Sequence, residues 1–198
     1  MTQTIQPHGL EISSVWVGER LLPIAHACIN SFIRHGHSFN LYTYDHVEDV
    51  PGAVKRRSAE DIFPRERLFQ AHGGWETWAD QFAYQFLYKI GGWWVDSDVV
   101  CNADILPDVE IAFADEDPGR PNNAVLKFPK NHEVIDSLLK YVAMVDPVNS
   151  MWGSTGPVAL TKVFGRHEIG KFRLDVEEVY PIHWKETPKL LFPEYTLK

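Results

Sequence analysis

The chain has 198 residues, 44% hydrophobic and 23% charged, which fits a single soluble domain over 1–198 with a sizeable core. Its formal charge of −8 comes from 27 acidic against 19 basic residues, and its longest basic cluster is Lys55-Arg56-Arg57, so nucleic acid is excluded as an expected partner. No apolar run reaches about 18 residues, so no transmembrane segment is expected.

The opening MTQTIQPHGLEISS has neither a basic start nor an apolar stretch, so no secretory signal is expected. Ile12 to Gly18 then reads as a first strand. Leu21 to His35 carries apolar residues at helical spacing and stops at Gly36. Phe39 to Tyr44 alternates as a second strand, so the chain opens β-α-β and predicts an α/β fold with a largely parallel sheet. Residues 46–74 are less regular, with room for a short helix that the pattern does not locate. Lys55-Arg56-Arg57 reads there as a solvated loop.

A strong helix is predicted over Trp78 to Ile90, where Trp78, Phe82 and Phe86 recur every four residues and Ala79, Ala83, Leu87 and Ile90 widen the stripe. Gly91-Gly92 and the strand-like WWVDSDVV follow. Ile111 to Ala114 and Ala124 to Phe128 read as strands, and Val134 to Val145 as an amphipathic helix. Gly156 to Phe164 is a short helix with Pro157 in its first turn. The tail from Phe172 mixes strand-like VEEVYPIHW with coil. Cys28 and Cys101 have no metal or redox spacing, which suggests reduced thiols and a cytoplasmic setting.

The chemically demanding stretch is YKIGGWWVDSDVVC, residues 88–101. On a strand, Asp96 and Asp98 project to one face, both ionised at neutral pH and repelling. Burying such a pair is costly unless a cation lies between them. Mn²⁺ or Mg²⁺ takes carboxylate and phosphate oxygens together, and ligands of open α/β sheets gather at strand C-termini. The pattern therefore points to a metal that holds a diphosphate. Spacing alone is weak evidence, because Asp115 and Asp117 in FADEDPGR form a second such triplet. That one runs into Pro118-Gly119 and reads as a strand-end turn.

The block WADQFAYQFLYKIGGWWVDSDVV resembles the sugar-binding region of a family of DXD-motif glycosyltransferases. That family includes yeast initiating mannosyltransferases, globotriaosylceramide synthase relatives and many short bacterial proteins, with the large clostridial glucosylating toxins more distant. SVWVG and TGPVALTKVF are looser matches, so the resemblance touches residues 12–184 while only the central block is motif-grade. It implies a GT-A fold, meaning a Rossmann-like α/β domain with a mixed, mainly parallel sheet. It also implies a nucleotide-sugar donor with UDP-sugars favoured, a glycan, lipid or protein acceptor, Mn²⁺ or Mg²⁺, and retention of anomeric configuration.

By that resemblance Asp98 is the most direct metal ligand, and Asp96 contacts ribose, donor sugar and metal-bound groups. Trp16 supports the nucleotide base; a core tryptophan at a strand end explains it equally. Asp80 contacts the donor sugar, while Thr77-Trp78-Ala79-Asp80 also fits a capping box. Gly92 belongs to the donor-side turn. His183, in YPIHWKE, resembles a segment that closes over the diphosphate and could be a third metal ligand. Ser154 and Thr155, in GSTGP, suit contacts to acceptor or phosphate, or a plain helix cap. The family's usual arginine three residues after the helix aspartate is Ala83 here, with Lys89 or Arg20 as substitutes.

Two rivals stand beside this reading. A catalytically degenerate nucleotide-sugar binder is motivated by Ala83. A haloacid-dehalogenase-like phosphatase shares Asp-x-Asp-x-Val after an apolar strand, with the first aspartate as nucleophile. That motif belongs near an N-terminus, and no acidic loop after residue 146 completes it.

Overall fold

The computed structural model describes residues 10–104, 106–183 and 185–187. Its sheet has six strands in the order β3-β2-β1-β4-β6-β5: β1 (Glu11–Trp16), β2 (Ser38–Thr43), β3 (Lys55–Ser58), β4 (Gly92–Val95), β5 (Ala112–Asp117) and β6 (Arg120–Phe128). The first four run parallel, whereas β6 is antiparallel to both β4 and β5. The mixed α/β architecture matches the expected fold class. Helix α1 (Pro23–Arg34) connects β1 to β2, and α2 (Glu76–Lys89) leads into β4. Helices α3 (Glu133–Val142), α4 (Pro157–Phe164) and the single-turn α5 (Val176–Val179) follow β6. No helix among the described residues is long and apolar enough to cross a membrane.

Strand alternation divides the core into two apolar layers. Ile12, Phe39, Leu41, Trp93 and Val95 pack with Ala25, Cys28, Ile29 and Phe32 of α1. On the other face Val15, Tyr42, Trp94 and Leu126 meet the α2 stripe and the apolar faces of α3 and α4. The four-residue spacing in α2 works as the pattern requires. Trp78, Phe82 and Phe86 are buried, and Phe82 and Phe86 each lie against Trp94, with ring centroids 5.8 and 5.7 Å away. Burying each such ring stabilises the fold by about 1.5–3 kcal/mol. Ile90 departs from the predicted stripe: it follows the last helical turn and is 52% exposed.

The Gly91-Gly92 turn has two separate causes. Both glycines have positive φ, +77° and +92°, where a side chain is strained. At Gly91 a Cβ would also lie 2.5 Å from the Lys130 backbone nitrogen.

Three local expectations change. Lys55-Arg56-Arg57 is not a loop but the polar edge strand β3, paired among the described residues with β2 alone, where charged side chains guard an open edge. VEEV is the helical turn α5, capped by the Asp175 carboxylate on the Glu177 N–H, rather than a strand. The strand before the aspartate pair ends at Val95, so Asp96 and Asp98 lie beyond it in a turn closed by a Val99 N–H to Asp96 C=O bond of 3.2 Å. The same-face argument for an extended pair therefore does not apply.

Candidate active site

The site forms where strand order reverses. From β1 the chain builds outward through β2 and β3, then returns to place β4 on β1's other side. The C-terminal ends of β1 and β4 lie side by side there, the position at which open α/β sheets bind ligands. Trp16 closes β1 and Asp96 follows β4.

Asp96 lies two residues beyond Trp94 and is partly buried. Its backbone N–H donates to the Ala124 C=O at 2.8 Å, and its carboxylate accepts a 3.1 Å bond from Trp94 Nε1. Burial, then the neighbouring carboxylates of Asp98 and Asp80, hold its proton affinity well above the ordinary range, opposed by the indole bond. Asp98, in contrast, is exposed at the rim. One carboxylate is thus anchored and the other is presented to solvent.

Asp80 enters from α2. Its Oδ1 accepts from Asn123 Nδ2 of β6 at 2.7 Å, and its Oδ2 accepts from Thr155 Oγ1 at 2.7 Å. Helix α2 has no side-chain cap, so the carboxylate braces the interior instead of closing a capping box. Burial pushes its pKa up to about 7, against the two hydrogen bonds and with a further push from Glu76. Gly156 fits tightly beside this network: a Cβ there would lie 2.7 Å from Asn123 Oδ1 and 3.2 Å from Asp80 Oδ2. Tyr84 donates to the Thr155 C=O at 2.8 Å and fixes the same loop from α2.

Other expected site residues are distributed differently. Trp16 is partly buried on the α1-side layer, and its Nε1 donates to the Arg20 C=O at 2.9 Å, leaving part of the ring open. Ser154 Oγ donates to the Met151 C=O at 2.6 Å, within its own turn, and its neighbour Thr155 is the residue that reaches Asp80. Gly92 begins β4 while Asp96 follows its end, separating them by about 13 Å along the strand. His183 meets the second triplet, not the first: Nδ1 accepts from the Lys185 N–H, leaving Nε2 to donate to Asp117 Oδ1 at 3.0 Å. Trp184 lies outside the described residues.

The second triplet is not simply a solvated turn. Asp115 is 7% exposed and accepts from the Gly119 N–H at 2.9 Å, with Arg173 3.2 Å away. Neither suggested replacement cation is committed to the aspartates. Lys89 donates to the Ile62 C=O at 2.7 Å, and Arg20 pairs with Glu48. Ala83 is buried in the apolar layer, 1% exposed. Both cysteines are free and buried.

No protein-family profile matches the chain, and no curated protein matches it. Solved structures do. A structure titled "PaToxG Glycosyltransferase" superposes with a TM-score of 0.60 at 14% identity, covering 94% of this chain and 79% of that one. A second, titled only as a transferase mutant, gives 0.50 at 12% identity, covering 85% and 92%. The fold is that of a GT-A glycosyltransferase. At such low identity the likeness establishes the architecture and leaves the chemistry to the side chains.

Sequence reasoning missed three contributors. Asn123 was hidden because the strand was expected to begin at Ala124; two asparagines just before an apolar strand were the available signal. Tyr180 arrives from α5, with its hydroxyl donating to Asn122 Oδ1 at 3.4 Å, and burial and then Asp96 raise its pKa. Trp94 looked like core alone but also donates to Asp96.

Proposed function

We propose that the protein transfers a sugar from a nucleoside-diphosphate sugar, with UDP-sugars favoured, to an acceptor hydroxyl, with Mn²⁺ or Mg²⁺ and retention of configuration. The observation that carries this reading is the carboxylate arrangement at the β1/β4 strand ends: Asp96 anchored by Trp94, Asp98 exposed, and Asp80 braced behind them. Two carboxylates suit a hard divalent cation whose remaining positions go to phosphate and water. Burial first, and then the carboxylates of Asp98 and Asp80, raise the proton affinity of Asp96, and a cation would offset the carboxylate contribution.

A bound cation would supply Lewis-acid stabilisation of the departing diphosphate. Asp98 and Asp96 hold that end of the donor, and Trp16 offers a ring edge for the base. Asp80, fixed by Asn123 and Thr155, orients the sugar hydroxyls. The acceptor oxygen forms its bond to the anomeric carbon as the carbon–oxygen bond to phosphate breaks. The electron pair leaves with the diphosphate, whose oxygen takes the acceptor's proton, so no protein base is required. The buried, unpaired thiols agree with a reducing, cytoplasmic setting.

The test combines thermal shift with nucleotide release, using UDP- and GDP-sugars plus Mn²⁺. At one hundred times Kd a donor stabilises the fold by about 2.7 kcal/mol. Asp98→Ala is expected to abolish the donor- and metal-dependent shift and nucleotide release. Because Asp98 is exposed, stability without ligand should stay within about 0.5 kcal/mol. If no nucleotide sugar shifts the melting curve, the reading fails. Binding without release would instead favour a degenerate binder, the outcome that Ala83 in place of a donor-contacting arginine allows. Inorganic phosphate released from phosphoesters would favour the phosphatase.

A further inference from the structure

The segment between α3 and α4 exposes apolar side chains beside the candidate site. Met151 is 80% exposed and Trp152 66%, with Met144 and Val148 also outward. The loop is nonetheless internally braced. The Asp146 carboxylate accepts from the backbone N–H groups of Val148 and Asn149 and from the Asn149 side chain. The Ser154 N–H and hydroxyl both donate to the Met151 C=O, and Gly153 turns the chain with φ +79°. Trp152 is therefore held out by a defined turn.

Its distance from the sugar-transfer point is limited by covalent geometry. Only Gly153 and Ser154 separate Trp152 from Thr155, whose hydroxyl bonds Asp80, so their Cα atoms lie at most about 11 Å apart. Residues 144–157 contain no lysine or arginine and one aspartate, on a chain with a net charge of −8. That balance repels an anionic membrane surface and offers nothing to a phosphorylated ligand. An exposed indole on a segment without lysine or arginine, close in the chain to hydroxyl-bearing residues, suits a neutral ring with one apolar face.

We propose that Trp152, flanked by Met151, is the acceptor subsite, stacking on a pyranose ring of a neutral carbohydrate, with the Thr155–Asp80 bond setting its distance from the donor sugar. This rests on the transferase reading above. Stacking orders the acceptor without touching the donor, so its loss appears in acceptor KM and not in donor hydrolysis.

The full chain, Trp152→Ala and Trp152→Phe would be assayed with UDP- and GDP-sugars and Mn²⁺, using methyl and 4-nitrophenyl pyranosides as acceptor probes. Trp152→Ala is expected to raise acceptor KM about tenfold, equivalent to losing about 1.4 kcal/mol of binding. Donor hydrolysis and melting temperature should not change, and Trp152→Phe should recover most of the loss. An unchanged acceptor KM overturns the proposal. So does a parallel loss of donor hydrolysis, or transfer only to proteins or vesicle lipids while every pyranoside is refused. Absence of both hydrolysis and transfer overturns the transferase reading and this proposal with it.

Discussion

Asp80 offers the sharpest test, because its structural and functional demands oppose one another. Replacing it by asparagine keeps the shape and both contacts: the amide oxygen can accept from Asn123 and the amide N–H can donate to the Thr155 hydroxyl. What changes is the charge. A carboxyl held at about 7 instead of its ordinary 3.8 binds a proton more readily in the folded chain than in the unfolded one. Below pH 4 both states are protonated and the contribution to stability is fully present. It is lost as pH rises from about 4 through about 7, because ionising the group in its site costs more than ionising it in water.

At 1.36 kcal/mol for each pH unit separating the two values, the loss has an upper bound on the order of 4 kcal/mol. The side chain is partly open to solvent, so a loss of about 2 kcal/mol is the working expectation. Urea unfolding followed by tryptophan fluorescence at pH 4 and pH 8 measures it. Asp80→Asn should match the parent at pH 4 and exceed it at pH 8, while nucleotide release falls. Equal destabilisation of the variant at both pH values would refute the reasoning, since it would make Asp80 an ordinary hydrogen-bond acceptor with no ionisation penalty.

Two further substitutions probe the same neighbourhood. Gly156→Ala places a Cβ against Asn123 Oδ1 and Asp80 Oδ2, so it should cost about 1–3 kcal/mol in urea unfolding and lower donor binding measured by calorimetry. Ala83→Arg tests whether the absent family arginine can simply be restored. Position 83 is sealed in the apolar layer, so the charged side chain should lower the melting temperature and fail to raise nucleotide release.

Periodicity made much of the scaffold legible. The spacing of Trp78, Phe82 and Phe86 has a local cause, one helix face against one sheet face, and so it can be read without knowing the partner. Gly91-Gly92 is similar, since both glycines adopt positive φ whatever surrounds them. The edge strand β3 was not legible, because four polar residues paired on one side show no apolar period. The Asp-x-Asp triplets carried the right residue types but not their setting. Nothing in VDSDV marks where the ladder stops, and nothing in FADED shows that His183 and Arg173 will meet it from 66 and 58 residues away.

By itself, then, the sequence determined the α/β class, the aromatic helix, the glycine turn and a pair of aspartates at the end of an apolar strand. Tertiary structure alone decided what Asp80 does. Its two partners stand 43 and 75 residues along the chain, on β6 and on the loop before α4, and neither separation has a local period to reveal it. The same assembly makes Asp96 anchored and Asp98 exposed although they are two residues apart. Burial and hydrogen bonding are properties of the packed site, and these rather than residue type separate a positioning carboxylate from a rim carboxylate.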